Sequence, residues 1–259
     1  MRKITLLMAT ALCCAISASA QEYKTKLGNS KDRKVVLEMD AGDYKIEGYD
    51  GDEVSVRTSV QLDAPPERAK GLKPLYYSAV DNSGIGLAVN LENGVLKIEK
   101  ATRKDIDYTI RMPKKAALLV RQTNWRNGSL AVSNLDGDLE IKTTNAPMTL
   151  KNVTGPIVAN TTNGEVNVVF TTLSQEKPTS ITTISGPIDV TLPANSKANL
   201  KLRSINGEMY TDFDLGLKAS KEGLPKIGGG NNVEGSTNGG GVEIQLNSIS
   251  SNIYIRKQK

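Results

Sequence analysis

The sequence predicts an all-β protein in which units of about nine residues, each a strand followed by a turn, stack into a solenoid. Five consecutive units occupy residues 128–170 and read GSLAVSNLD, GDLEIKTTN, APMTLKNVT, GPIVANTTN and GEVNVVF. Each unit opens on Gly or Ala and then alternates apolar with polar residues. Self-similarity at a fixed period is typical of repeat architectures, so this segment sets the fold class.

The alternation within one unit predicts a strand with one buried face. Leu139 and Ile141 fall on one side of the second unit and its charged residues on the other, as in a strand with period two. Val166 and Val168 do the same in the fifth unit. Five residues cannot bury such a face alone, but like units stacked on one another share a thin continuous core. The aromatic content of only 4% fits a core of Val, Ile and Leu.

The corners between units carry Asn-Gly and Asp-Gly pairs. We expect these pairs to supply backbone with positive φ, which lets the chain turn sharply. The corner asparagines are expected to bond their own backbone or to stack as a ladder. They are Asn134, Asn145, Asn163 and Asn206.

An antiparallel meander of hairpins is the alternative architecture, since Asn-Gly is also the strongest short-range hairpin signal. Pairs of units, however, recur at about nineteen residues. That length suits one solenoid coil with two strands, so the spacing favours the solenoid.

Residues 1–20 are predicted to be a secretory signal peptide. Arg2 and Lys3 form its positive start, an apolar stretch follows, and an A-x-A cleavage site ends at Ala20. Cleavage between Ala20 and Gln21 leaves 31 Lys and Arg against 28 Asp and Glu in the mature chain. This small excess of positive charge does not argue for a nucleic-acid partner.

The chain offers few residues for catalysis or metal binding. It contains no histidine, and its two cysteines, Cys13 and Cys14, lie inside the predicted leader. Neither follows a Gly, Ala or Ser, so lipidation is not expected. Ser-His-Asp and Cys-His catalysis and the usual zinc, copper and haem ligand sets are excluded for the mature chain, and we expect no cofactor and no metal. No later apolar run reaches about eighteen residues, so no transmembrane segment is expected after processing.

Residues 21–259 are predicted to form a single β-solenoid domain. Residues 63–84 interrupt the strand pattern as an insertion, and 63–70 is the one stretch with a helical pattern. Residues 87–98 are predicted to form a hairpin. Nine glycines in residues 216–241 predict a mobile Gly-rich loop, which lacks the Lys-Ser/Thr ending of a phosphate-binding loop.

The ends of such a stack need cover, because an uncovered end coil invites edge-to-edge pairing. We expect residues 22–32 and the Gly-rich loop to cover the ends or one face. Eight to ten coils spaced by about 4.8 Å would give a rod roughly 40–50 Å long.

Several motifs along the chain together resemble a known family. They are VVLEMDAGDYKIEGYDGDEVSV, DYTIRMP, the Gly-led repeats described above, and the ending GGGVEIQLNSISSNIYIRK. In this order they are similar to the putative-adhesin domain family DUF4097, over residues 33–257. The last motif has Ser251-Asn252 where Asn-Gly is commoner. The resemblance implies an exported β-helix or β-solenoid of the single-stranded right-handed kind and brings no catalytic residues.

The predicted function is that of a non-catalytic binding, adhesion or scaffold protein, exported to the periplasm, the outer cell envelope or the extracellular space. Its expected partner is an envelope polysaccharide or another envelope or surface protein. The candidate binding residues are aromatic: Trp125, the only tryptophan, and the pair Tyr76 and Tyr77. Burial of Trp125 as a cap on the core is the alternative interpretation.

Two other functions stay open. A carbohydrate-active enzyme would need two carboxylates that face each other across a cleft. The candidates on outer strand faces are Asp138, Glu140, Glu165 and Asp189. The alternation of Asp138 and Glu140 with Lys142 is more typical of a solvated charged face. The third function, suggested by the resemblance, is envelope-stress sensing through a protein partner.

Overall fold

The computed structural model describes residues 21–28, 33–63, 66–72, 79–122, 128–216 and 231–259. Within these ranges the protein contains twenty strands, one 3-10 helix at Glu67–Ala69 and no α-helix. The short helix lies in the stretch 63–70 that was expected to be helical. No helix of the described ranges is long and apolar enough to cross a bilayer.

Most strands are five to seven residues long, and their bounds are as follows. The first ten are β1 (Gln21–Lys26), β2 (Lys34–Met39), β3 (Tyr44–Tyr49), β4 (Glu53–Thr58), β5 (Leu87–Glu92), β6 (Val95–Lys100), β7 (Tyr108–Pro113), β8 (Ala117–Gln122), β9 (Leu130–Ser133) and β10 (Leu139–Thr143). The second ten are β11 (Met148–Val153), β12 (Ile157–Thr161), β13 (Val166–Phe170), β14 (Thr179–Thr183), β15 (Ile188–Leu192), β16 (Ala198–Ser204), β17 (Met209–Thr211), β18 (Asn231–Thr237), β19 (Val242–Ser248) and β20 (Ile253–Lys257).

The strands form two sheets of ten strands each. Sheet A has the order β1-β4-β7-β3-β9-β11-β13-β15-β20-β17, and sheet B has the order β18-β16-β19-β14-β12-β10-β8-β2-β6-β5. From β8 to β17 successive strands alternate between the sheets, so one strand from each sheet makes a coil. Neighbouring coils pair in parallel: Met148 lies between Leu130 and Val166, each eighteen residues away. The prediction of an all-β solenoid is therefore confirmed, and a meander of hairpins is excluded.

The core is a thin column between the two sheets. Alternate residues of each strand point into it, as in the buried-exposed alternation of β10 and β12. Val, Ile and Leu fill most of the column, as the composition predicted. Two buried tyrosines, Tyr44 and Tyr108, stack with ring centroids 6.2 Å apart and donate their hydroxyls to the carbonyls of Ala41 and Ile85. Burial raises the pKa of both phenols, so they stay neutral.

The small residues that open the repeat units are required by close stacking and not by backbone conformation. A Cβ on Gly164 would lie 2.2 Å from the carbonyl oxygen of Ala146, and a Cβ on Gly186 would lie 1.8 Å from that of Gly164. Neither glycine has positive φ. The expectation that Asn-Gly and Asp-Gly glycines supply positive φ is wrong here. Asparagines adopt it instead, at Asn134 with φ 59° and Asn152 with φ 55°.

Buried hydroxyls close the corners where the chain leaves sheet B. The residues at the last inward position of β10, β12, β14, β16 and β19 are Thr143, Thr161, Thr183, Ser204 and Ser248. Each bonds the backbone three residues ahead, either by donating to a carbonyl or by accepting from an amide. The shortest of these bonds runs from Thr183 Oγ1 to the oxygen of Gly186 at 2.6 Å. Such local bonds let Ser and Thr fix a turn.

The coils follow chain order only in the middle of the stack. The pair β2–β3 lies between β6–β7 and β8–β9, with parallel pairing on both sides. The last pair, β19–β20, likewise lies between β14–β15 and β16–β17. Strands β14 and β16 are therefore not neighbours, and the C-terminal coil holds them together.

Antiparallel strands cover three of the four sheet edges. At the N-terminal end of the stack, β1 pairs with β4 and β5 forms the predicted hairpin with β6. At the other end β18 covers β16 in sheet B, whereas sheet A ends on the short strand β17. Residues 231–237 lie in the stretch predicted to be a mobile loop, and that prediction is wrong for them because all seven pair with β16. Residues 217–230 lie outside the described ranges.

Candidate functional site

The outer faces of both sheets carry polar side chains that are largely paired with one another. On sheet B, Lys97 lies 3.1 Å from Glu38 and 2.7 Å from Glu99, and Arg121 lies 3.3 Å from Glu38. Similar pairs join neighbouring strands elsewhere on the two faces. Exposed pairs of this kind contribute little to stability.

Three of the four corner asparagines named from the sequence, Asn134, Asn145 and Asn163, bond to an asparagine of the adjacent coil. The side-chain amide of Asn163 donates to the side-chain oxygen of Asn145 at 2.8 Å, and Asn152 donates to Asn134 at 3.1 Å. Each bond joins equivalent positions of adjacent coils, eighteen residues apart. These asparagines therefore stabilise the stack.

An aromatic pair stands on the outer face of sheet A at the C-terminal end of the stack. Tyr254 of β20 and Tyr210 of β17 are direct cross-strand neighbours. Their rings stack with centroids 5.3 Å apart and an interplanar angle of 10°. The Tyr210 side chain is half exposed, and Asn252 Nδ2 donates to the Tyr254 hydroxyl at 3.0 Å. We call this pair the tyrosine platform.

An ion pair between Arg256 and Asp189 supports the tyrosine platform. The Arg256 guanidinium lies over the Tyr254 ring, 5.3 Å from its centroid. Arg256 donates from Nε to both oxygens of Asp189 at 2.9 and 3.0 Å, and its Nη2 lies 2.9 Å from Asp189 Oδ2. These bonds raise the pKa of Arg256 and hold its planar group in place. Its bonds to Asp189 therefore hold the Arg256 guanidinium against the Tyr254 ring.

A second surface feature is a groove of about 390 Å³ on the outer side of sheet B. Its apolar lining residues include Ala117, Pro156, Val158 and Pro178. Two ion pairs border it: Lys177 lies 2.6 Å from Asp138, and Lys34 lies 4.0 Å from Glu140. The hydrogen bond to Asp138 raises the pKa of Lys177, so this lysine keeps its charge.

The carboxylates considered for catalysis do not meet across a cleft. Asp138 and Glu140 both line the groove on sheet B, but they come from the same wall, two residues apart in the chain and each beside a lysine, whereas Asp189 lies on sheet A beside Arg256. Glu165 is exposed just before β13 of sheet A. The body of the solenoid separates the two sides. Within the described part of the chain, no group of three or more acidic residues is arranged to hold a metal ion.

The aromatic residues proposed from the sequence, Trp125, Tyr76 and Tyr77, lie outside the described ranges. Ala20 of the predicted cleavage site also lies outside them. Gln21 is the first residue of β1 and pairs with Thr58 of β4. The binding and cleavage predictions for these residues stay predictions.

The geometry described so far, two sheets of stacked parallel strands joined by short corners, is shared with a known family. The chain matches the Toastrack DUF4097 family over residues 10–256. The chain belongs to this family. The resemblance found in the sequence over residues 33–257 is therefore confirmed for this Toastrack protein.

Among solved structures, the Toastrack chain is similar to a "putative cell adhesion protein" from Clostridium sporogenes, at 12% identity and a TM-score of 0.44, over 93% of this chain and 99% of the other. It is also similar to a "putative adhesin" from Bacteroides fragilis, at 13% identity and a TM-score of 0.32, over 93% and 98% of the two chains. A "putative lipid binding protein" from Parabacteroides distasonis has 14% identity and a TM-score of 0.26, over 94% and 98%. The comparison with curated proteins gives no match.

Sequence reasoning assigned both platform tyrosines to strands but did not single them out. Period-two alternation already places Tyr210 and Tyr254 outward, between the inward Ile253 and Ile255 in the second case. Their contact depends on the insertion of β20 next to β17, which no local pattern indicates.

Proposed function

We propose that this Toastrack protein is an exported, non-catalytic binding protein of the bacterial cell envelope that acts through the outer faces of its solenoid. The observation that carries the proposal is the shape of those faces. Ten strands spaced by about 4.8 Å give each sheet a length of roughly 43 Å. An outer face of this length suits a large partner such as a polysaccharide or a surface protein.

The chemistry of the faces supports binding in preference to catalysis. The carboxylates with the best positions for acid-base work are paired with Lys or Arg at 2.6–4.0 Å. Asp138 and Glu140 lie on the side of sheet B and Asp189 on sheet A, so they do not form the opposed pair of carboxylates that glycoside hydrolysis requires. Export rests on the predicted leader, residues 1–20, and its A-x-A site.

The test is co-sedimentation of the mature chain with an insoluble bacterial envelope fraction. We expect saturable sedimentation with no release of reducing ends into the supernatant. Protease treatment of the envelope distinguishes the partners: binding that survives it points to polysaccharide, and binding that disappears points to a surface protein. Absence of sedimentation, or reducing ends lost on replacing Asp138, Glu140 or Asp189, would contradict the proposal.

The envelope-stress alternative predicts a different result. A sensing partner would bind the chain from detergent-solubilised membranes at a defined stoichiometry, without need for insoluble envelope. Reconstitution of that complex from two purified components would favour this function over surface binding.

A further inference from the structure

Tyr210 differs from the other outward side chains of sheet A. Along its column, the direct neighbours on successive strands are Tyr254, Asp189 and Asn167. Beyond them the positions are taken by Thr149 and Ala131. Tyr210 is 52% exposed although its ring stacks on Tyr254. A large apolar ring thus stands in water at the end of a polar column.

One face of the Tyr210 ring is available to a ligand. Strand β17 is the last strand of sheet A, and no described strand pairs with its outer edge. Tyr210 stacks on Tyr254 toward the body of the protein with an angle of 10° between the rings. The opposite face therefore points off the end of the stack.

The orientation of the Tyr210 ring is also fixed by its neighbours. Tyr254 supports it from one side, Asn252 fixes the Tyr254 hydroxyl, and Arg256 covers Tyr254 while bonded to Asp189. A rigid aromatic group loses little conformational entropy on binding, which is why tyrosines serve as anchors in recognition surfaces.

The charges beside the ring select the kind of ligand. Glu208 lies directly before β17 and Asp212 directly after it, and Asp212 Oδ1 accepts a hydrogen bond from the Lys257 backbone N–H at 2.8 Å. Both carboxylates are exposed, Arg256 is bound to Asp189, and the Lys257 ammonium lies over the Phe213 ring, 5.2 Å from its centroid. Carboxylates accept hydrogen bonds from hydroxyl groups and repel phosphate, sulfate and uronate. The patch therefore suits a neutral ligand with many hydroxyls.

We propose that Tyr210 is the stacking floor of a saccharide site that takes one neutral pyranose unit of an envelope polysaccharide. A pyranose ring has an apolar C–H face that can lie on an aromatic ring and a rim of hydroxyls that can donate to Glu208 and Asp212. This inference rests on the proposed function and specifies its partner. It concerns binding only and involves no bond cleavage.

The experiment measures binding of three neutral hexasaccharides to the mature chain by calorimetry: β-1,4-linked glucose, β-1,4-linked N-acetylglucosamine and α-1,4-linked glucose. At least one should bind saturably. Tyr210→Ala should weaken that binding by about tenfold or more, and Tyr210→Phe by less than about threefold, because Phe keeps the ring face. The control is Leu91→Ala, which removes an exposed apolar side chain at the opposite end of the stack.

Thermal unfolding of each variant checks that the fold is intact, and NMR shifts in β17 and β20 on titration localise the ligand. Equal affinities of Tyr210→Ala and wild type would overturn the site. Failure of all three hexasaccharides to bind while the protein still sediments with envelope would also overturn the site and leave the proposed function standing. Failure to sediment at all would instead count against the proposed function.

Discussion

Gly186→Ala tests the stacking of coils most sharply. Gly186 sits at the corner before β15, directly over the corner of the preceding coil. A Cβ there would lie 1.8 Å from the carbonyl oxygen of Gly164, whereas real Cβ contacts essentially never fall under 3.0 Å. The two groups would have to separate by about 1.2 Å.

The destabilisation by Gly186→Ala depends on which atoms must move. The obstructing atom belongs to the backbone of Gly164, which is held in the stack on both sides, so it cannot rotate away as a side chain would. Overpacking generally costs about 1–3 kcal/mol, and we expect the upper part of that range, about 2–3 kcal/mol. In a domain of this size, 1 kcal/mol lowers Tm by about 2–4 °C, so Tm should fall by about 4–12 °C.

Denaturant and thermal unfolding of residues 21–259 measure this cost. The matched control is Ala146→Gly, at the equivalent corner of an earlier coil, where the stack already accommodates a Cβ. Removing that Cβ should cost only about 0.5–1 kcal/mol, the usual backbone penalty of glycine. If Gly186→Ala unfolds within about 0.5 kcal/mol of wild type, the steric explanation of the repeat glycines is wrong.

Three further predictions follow from the corners, the inserted coil and the N-terminal strand. Thr183→Val removes the 2.6 Å bond to the Gly186 carbonyl and should lower the free energy of unfolding by about 1–3 kcal/mol, while Thr182→Val on the outer side of β14 should change it by less than about 0.5 kcal/mol. Strands β19 and β20 link β16 and β17 to the stack, so deleting residues 242–259 should abolish the protection of β16 and β17 amides against hydrogen exchange while β11–β13 stay protected. Hydrogen exchange followed by mass spectrometry measures this, and continued protection of β16 would contradict the prediction. The hydrogen bond from Arg57 holds the pKa of the Glu22 carboxyl below its usual 4.5, so this contact stabilises the pairing of β1 above pH 4.5 and is lost as pH falls through the lowered pKa. Hydrogen exchange of the β1 amides should therefore lose protection over that pH range in wild type, and Glu22→Gln should show no such step.

The periodic part of the sequence predicted its structure well because each strand is determined by local alternation. Leu139 and Ile141 are buried and their neighbour Glu140 is exposed, as period two requires. Asn145 and Asn163 bond across adjacent coils because equivalent positions recur every eighteen residues. The hairpin of β5 and β6 was predicted from two short strand patterns and the turn residues between them.

The features that were missed depend on contacts between distant parts of the chain. Gly164 looks like a turn glycine in sequence, and only the stacked carbonyl of Ala146 shows why it must be small. The stretch 231–237 looks like a Gly-rich loop, yet its backbone pairs with β16 regardless of its small side chains. The platform exists because β20 is inserted between β15 and β17, which brings Tyr254 beside Tyr210, 44 residues earlier in the chain. Local alternation cannot encode such a distant pairing.

The inserted C-terminal coil is the claim on which the tyrosine platform depends, and disulfide trapping tests it most directly. Residues 21–259 contain no cysteine, so pairs can be introduced cleanly into this part of the chain. Ser180 of β14 is the direct neighbour of Gln245 of β19, and Lys201 of β16 lies one strand further away. Two Cα atoms more than about 7 Å apart cannot be bridged, and strands two places apart are separated by roughly 9.6 Å. We expect the double variant Ser180→Cys with Gln245→Cys to cross-link on oxidation and the double variant Ser180→Cys with Lys201→Cys to stay reduced. The reverse result would mean that the coils stack in chain order and that the tyrosine platform does not form.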